Sequence, residues 1–171
     1  MFTTHSLFRI VKILCVAAIG FMGLLIVIGN TTDYYSNYYF VEHVMKMDTI
    51  FPESQIHYRS VQQPWAYHAG YILLIALEAL MSCCCIRGAW QMKLNIRQSP
   101  AVFHQSKKWA VAGIGTGILI WFAGFEVIGG EWFGMWQSSR YNGLGAADRI
   151  LIFLTLTLIL LHLKEDENSL T

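Results

Sequence analysis

The chain has 171 residues, of which 55% are hydrophobic and only 13% charged, with a formal net charge of +1. Soluble domains carry about 25% charged residues, so this composition, with a mean hydropathy of +0.44, excludes an ordinary soluble domain and puts the chain in the membrane class. The near-neutral balance gives no electrostatic case for nucleic acid, and the length suits a single domain.

The first apolar run covers residues 13–29 and follows Arg9 and Lys12, an arrangement shared with secretory signals. Ile26, Val27 and Ile28, just ahead of Gly29-Asn30, are large and make a poor cleavage site, so the run reads as a retained span. An outer loop follows over residues 30–64, too long for a simple turn and rich in Tyr34, Tyr35, Tyr38, Tyr39 and Tyr58. Within it Phe40, Val44, Met47 and Phe51 recur at three- and four-residue spacing, with Glu42, His43, Lys46 and Asp48 on other faces. That spacing predicts a short amphipathic helix at the outer interface, ending near Pro52. Gln62-Gln63-Pro64-Trp65 leads into the second span, residues 65–86, with an interfacial Trp at its mouth.

A basic inner loop over residues 88–107, interrupted by Ser99-Pro100, reads as a connector that sets topology, with a lipid-headgroup or partner site as the alternative. The third span covers residues 109–132, an outer cap residues 133–145, and the fourth span residues 146–163. Each apolar run is near the ~20 residues that cross ~30 Å of hydrocarbon. The fourth carries little polar chemistry beyond Thr155, Thr157 and His162 and is expected to be the most lipid-exposed.

Arg9, Lys12, Arg87, Lys93, Arg97, Lys107, Lys108 and Lys164 fall on one side of this layout, and Lys46, Arg59, Arg140 and Arg149 on the other. The richer side is expected to be cytoplasmic. The expected fold is therefore all-α: one membrane-embedded four-helix bundle over residues 1–171, both termini inside.

Two acids fall inside apolar runs. Glu78 shares a helical face with Tyr67, Tyr71, Leu74, Ser82 and Cys85. A charged carboxylate at bilayer depth costs a few kcal/mol, so Glu78 is expected to face protein or a wet cavity. It reads either as a proton- or substrate-linked site with Tyr71, or as an interhelical hydrogen bond to a Tyr hydroxyl or Thr. Glu126 lies in the outer third of the third span, on the order of 10 Å from Glu78 in depth. That separation argues against a carboxylate pair for acid–base chemistry. Glu126 is expected to meet Arg140, Arg149 or His68 at the outer mouth.

Gly113, Gly117 and Gly124 lie on nearly one face of the third span, where Gly113-x-x-x-Gly117 admits a close helix neighbour. Glu126 points to nearly the opposite side with Gly115, Leu119 and Phe122. Beyond it, Glu131, Trp132, Trp136, Arg140 and Asn142 gather in the outer cap as a candidate interaction surface, since aromatics and Arg favour interfaces, although Trp and Tyr also populate the ordinary interfacial belt.

His43, Met45 and Met47 are residue types that suit copper, but they share no helical face. His68 and His162 lie at opposite ends of their spans, a mismatch for a bis-His haem. Cys15 and the run Cys83-Cys84-Cys85 form no disulfide framework, zinc quartet or redox pair. No metal or cofactor is expected, and with no nucleophile–base set or phosphate-cradling loop the chain is not expected to be an enzyme.

Gly129-Gly130-Glu131-Trp132-Phe133-x-Met135-Trp136-Gln137-Ser138, followed by Asn142-Gly143 and Arg149, resembles a bacterial family of predicted small integral membrane proteins. His43-Val44-Met45-x-Met47-Asp48-Thr49-x-Phe51 is similar to that family's outer-loop motif, and Glu78 stands where the family tends to keep an acid. One departure is Tyr141-Asn142-Gly143, where the family pattern has Trp-Asn-Gly. The resemblance covers nearly the whole chain and implies a four-span inner-membrane protein; it brings no activity or ligand.

The expected function is thus a non-catalytic accessory or interaction subunit of the bacterial inner membrane. Its partners would be the lipid bilayer and a second protein or further copies of itself, with no nucleic acid. The alternative is a small oligomeric proton-linked transporter or channel using Glu78 and Glu126, although no internal repeat or pair of broken helices is visible.

Overall fold

The computed structural model describes residues 4–163. Helix α1 (Thr4–Thr32) is followed by α2 (Tyr34–Lys46), a 3-10 turn (His57–Arg59), α3 (Pro64–Leu94), α4 (Pro100–Ser106) and α5 (Lys108–Ile118). The last of these continues into a π-helical stretch (Leu119–Trp132), then a second 3-10 turn (Met135–Gln137) and α6 (Leu144–His162). No strand occurs among the described residues. Four helical segments are long and apolar enough to cross a bilayer: α1, α3, Pro100–Trp132 and α6. The fold is an all-α bundle of four such spans.

The bundle is built around α3. Its predicted polar face is the buried one: Tyr67, Tyr71, Glu78, Ser82 and Cys85 are all removed from the surface. Hydrocarbon gives helices no hydrophobic reason to associate, so close backbone approach and interhelical hydrogen bonds hold such contacts together. At Gly20 and Gly23, α1 meets α3 so closely that a Cβ would press on Ile86, Cys85, Met81 and Ser82. Ser82 donates a 2.7 Å hydrogen bond to the Gly20 carbonyl across the same seam. On the other flank Gly88 lies against Ala110, and Gly113 lies against Cys85 and the Met81 carbonyl. Gly117 abuts Met81 and Leu154, which brings in α6. As expected, α6 buries the smallest share of its span.

The spans run longer than their apolar cores. Helix α1 begins nine residues before residue 13, because Arg9 and Lys12 are held inside the bundle rather than left as flanks. Arg9 donates to the carbonyls of Ile96 (2.8 Å) and Gln98 (2.6 Å). The expected inner loop over 88–107 shrinks to residues 95–99, since α3 continues to Leu94 and α4 starts at Pro100. Proline suits a first helical turn, where its missing N–H is no loss. At the same end, Lys12 donates to the Leu163 carbonyl (3.0 Å) and Lys107 to the Leu161 carbonyl (2.9 Å). Both cations meet carbonyls that α6 leaves without intrahelical donors.

The expected loop helix ends earlier than its hydrophobic spacing implied. It stops at Lys46, because Met47 takes a left-handed backbone (φ 55°) and returns its N–H to the carbonyls of His43 and Val44. Phe51 and Pro52 lie beyond it. Helix α2 folds back against the first turns of α3, so the end of the bundle opposite the basic loop is roofed by aromatics.

Candidate functional site

Glu78 is the most deeply buried acid among the described residues, and its partner is Asn30, not a Tyr or Thr. The Asn30 amide donates 2.8 Å to Glu78 Oε2. Asn37 of α2 donates 2.8 Å to Asn30 Oδ1, and the Tyr71 hydroxyl donates 3.3 Å to the Asn30 backbone carbonyl. Three helices thus meet at one amide. Asn30 ends the first apolar run, where it reads as a boundary marker; the one clue in the sequence is a polar residue within the last turns of a helix that continues to Thr32. The chain Glu78–Asn30–Asn37 leads from a buried carboxyl to an exposed side chain on α2.

Directly above lies a cluster of rings. His68 stacks on Tyr38 (centroids 4.3 Å) and on Tyr34 (5.8 Å), and its Nδ1 shares a 2.8 Å hydrogen bond with the Tyr34 hydroxyl. Tyr34 also contacts Tyr71 (4.8 Å). Burial raises the Tyr34 phenol above its ordinary range, helped by neighbouring Tyr35. Burial likewise raises Tyr38, with the Glu42 charge adding to it. Lys46 pairs with Glu42 one turn away; that hydrogen bond holds the ammonium above its usual value. Lys46 also sits 5.6 Å over the Tyr67 ring, whose hydroxyl donates 2.7 Å to the Val61 carbonyl.

The outer cap is built from two distant segments. Ser138 Oγ bonds Thr49 Oγ1 (2.8 Å) and accepts the backbone N–H of Tyr141 (2.9 Å) and Arg140 (3.3 Å). Gly134 takes φ 65° beneath Ile56, where a Cβ would be strained by conformation and crowded by the Ile side chain. Arg59 donates to the carbonyls of Glu131 and Trp132 (3.3 and 3.4 Å), its guanidinium 5.0 Å over the Trp132 ring and 5.4 Å over Tyr58. Phe51 meets Trp136 edge to face at 6.1 Å. His43 donates from Nδ1 to Asp48 (2.8 Å) and stacks on Tyr141 at 4.2 Å. Tyr58, Trp132, Trp136 and Phe51 remain about half or more exposed. Glu131, Arg140 and Asn142 are exposed on the same cap.

The sequence-predicted residues therefore divide. Glu78 and Tyr71 converge on Asn30; Glu131, Trp132, Trp136, Arg140 and Asn142 share the cap; Gly113 and Gly117 make close helix contacts. Gly124 does not: a Cβ there would meet nothing within 4 Å. The face count that grouped it with Gly113 assumed 3.6 residues per turn, and the helix changes to π winding at Leu119. The expected partners of Glu126 are also corrected. Among the described residues it forms no ion pair or hydrogen bond with Arg140, Arg149 or His68, and its Oε1 is buried without a partner. Arg149 instead donates from Nε to the Gly145 carbonyl within α6. His43, Met45 and Met47 do not converge: His43 turns to Asp48, Met45 packs against the tyrosines, and Met47 is buried beside Ile50 and Phe133. Among the described residues no three His, Cys, Asp or Glu side chains gather as a metal site would require.

Four long apolar helices packed through small residues, with an acid satisfied inside the bundle, define a multi-pass integral membrane protein. The chain belongs to the family described as Predicted small integral membrane protein (DUF2165), whose model matches residues 8–164. No curated protein and no solved structure matches it.

Proposed function

We propose that this protein is a non-catalytic accessory subunit of the bacterial inner membrane, whose aromatic cap docks an extramembrane segment of another integral membrane protein. The observation that carries this reading is the pre-formed exposed surface of Phe51, Tyr58, Arg59, Trp132 and Trp136. Aromatic rings and Arg, held rigid before contact, are the side chains that dominate interface energetics at low ordering cost. The positive-inside rule supports an orientation with both termini cytoplasmic and the cap in the periplasm. The end with Arg9, Arg87, Lys93, Arg97, Lys107 and Lys108 outweighs the one with Lys46, Arg59, Arg140 and Arg149.

A photo-crosslinking residue in place of Tyr58 or Trp136, irradiated in living cells, tests this. One discrete protein adduct is expected, lost in the Trp132→Ala/Trp136→Ala variant with normal membrane insertion. An adduct of twice the chain's mass would make the partner a second copy. Adducts with lipid alone would reduce the cap to an interfacial anchor and overturn the reading.

A second reading has its own observation: the hydrogen-bonded path from buried Glu78 through Asn30 to exposed Asn37. The carboxyl is what suits an oligomeric proton-linked transporter or channel, because an embedded carboxyl is the usual carrier of protons through a bundle, while the two amides orient it and do not themselves titrate. In liposomes with an internal pH indicator, Glu78→Gln would abolish proton flux while leaving the fold intact. Tight vesicles with the wild-type protein would rule this reading out.

A further inference from the structure

We infer that the groove between α1 and α3 at the basic end binds a phospholipid with an anionic headgroup. An open groove of about 960 Å³ lies between these helices. Its walls are apolar, formed by Ile10, Ile13, Leu14 and Phe21 from α1 and by Ile86 and Trp90 from α3. Arg87 and Lys93 line it as well, and no acid does.

These two cations differ from the buried ones at this end, and from the exposed Arg97 and Lys108 in lining the groove. Arg9, Lys12 and Lys107 are buried and spend hydrogen bonds on backbone carbonyls. Arg87 and Lys93 are exposed, and among the described residues neither forms a hydrogen bond or an ion pair. Each is instead steadied by an indole face: the Arg87 guanidinium lies 4.3 Å over Trp109, and the Lys93 ammonium 5.4 Å over Trp90. An indole face orients a cation without neutralising it, so both positive charges stay available.

The two features select one ligand. Arg87 and Lys93 are six residues apart, so along the helix they are separated by roughly 9 Å, with Lys93 nearer the helix end. A guanidinium at Arg87 suits bidentate contact with a phosphate, while Lys93 reaches outward to the same headgroup. The apolar walls below take acyl chains. A free phosphate would use the cations and leave the groove empty; a zwitterionic lipid would fill the groove and carry an ammonium beside the cations.

Native mass spectrometry of the full chain in detergent, titrated with phosphatidylglycerol or with phosphatidylcholine of identical chains, tests this directly. A surface cation attracts anionic lipid enough to give phosphatidylglycerol at least about a fivefold preference. Arg87→Gln/Lys93→Gln should bring the two lipids to parity, and Lys93→Gln alone, at the helix end, should lose part of the preference even if the double variant fails to fold. Cys83 is exposed and lines the same groove; Cys83→Trp should weaken retention of both lipids with the cations intact. Arg97→Gln/Lys108→Gln, which removes equal charge elsewhere at this end, should change nothing. The assignment is overturned if wild type retains both lipids equally, if the preference survives loss of Arg87 and Lys93, or if inorganic phosphate competes the lipid away.

Discussion

Asn30 carries more of the bundle than its place at the end of an apolar run suggests. Its side chain donates to Glu78 and accepts from Asn37, while its backbone carbonyl accepts from Tyr71. Asn30→Ala leaves a buried carboxyl without its donor, and a group orphaned in this way costs about 1–3 kcal/mol. Thermal unfolding in detergent should show that loss. Glu78→Gln keeps an acceptor facing Asn30 and should melt close to wild type, which separates the structural bond from any role of the proton. The tyrosines above give a pH signature. Tyr34 and Tyr38 are raised from an ordinary value of 10.0, so the unfolded chain releases these protons first. The stabilisation from the neutral rings is therefore complete below about pH 10. It is lost as pH rises through the folded values. Ultraviolet titration should show a late-ionising tyrosinate fraction, smaller in Tyr34→Phe/Tyr38→Phe, with the melting temperature falling over the same range.

At the scale of elements, the seams of α3 depend on residues too small to clash. Gly113→Ala places a methyl against Cys85 and the Met81 carbonyl, whereas Gly115→Ala and Gly124→Ala meet open space. Overpacking of this kind costs about 1–3 kcal/mol. Gly113→Ala should lower the melting temperature and the yield of folded protein, and the other two should not. The four spans were legible because hydropathy is a local property that needs no partner. Their ends were not: Arg9 and Lys12 look like flanking charges until the carbonyls that receive them are known. The embedded position of Glu78 was legible, since the 3.6-residue period put it on a polar face that is indeed buried. Asn30 was not, because only tertiary packing brings it level with Glu78. The helical face assigned to Gly124 failed for a physical reason. A face derived from α-helical spacing drifts once each backbone bond spans an extra residue, as it does from Leu119 to Trp132, where the Phe133 N–H still returns to the Ile128 carbonyl.

Across the whole molecule the two ends use charge differently. At the aromatic end Arg59, His43 and Lys46 lie against rings and tie loop to helix; at the basic end Arg9, Lys12 and Lys107 grip backbone carbonyls. The proposed orientation makes the first end periplasmic. In a Cys83→Ser background, a membrane-impermeant thiol reagent applied to intact cells should label Tyr58→Cys and not Arg97→Cys; the opposite pattern would invert the topology.

The grip on α6 has a consequence for biogenesis. Lys12 and the Leu163 carbonyl it binds are 151 residues apart in the chain, and Lys107 too must wait for the Leu161 carbonyl. A nascent polypeptide cannot make either contact until α6 has left the ribosome. The two bonds that tie the basic end to α6 therefore form only after α6 itself has been made, and a chain released before α6 would leave Lys12 and Lys107 without the carbonyls they bind here.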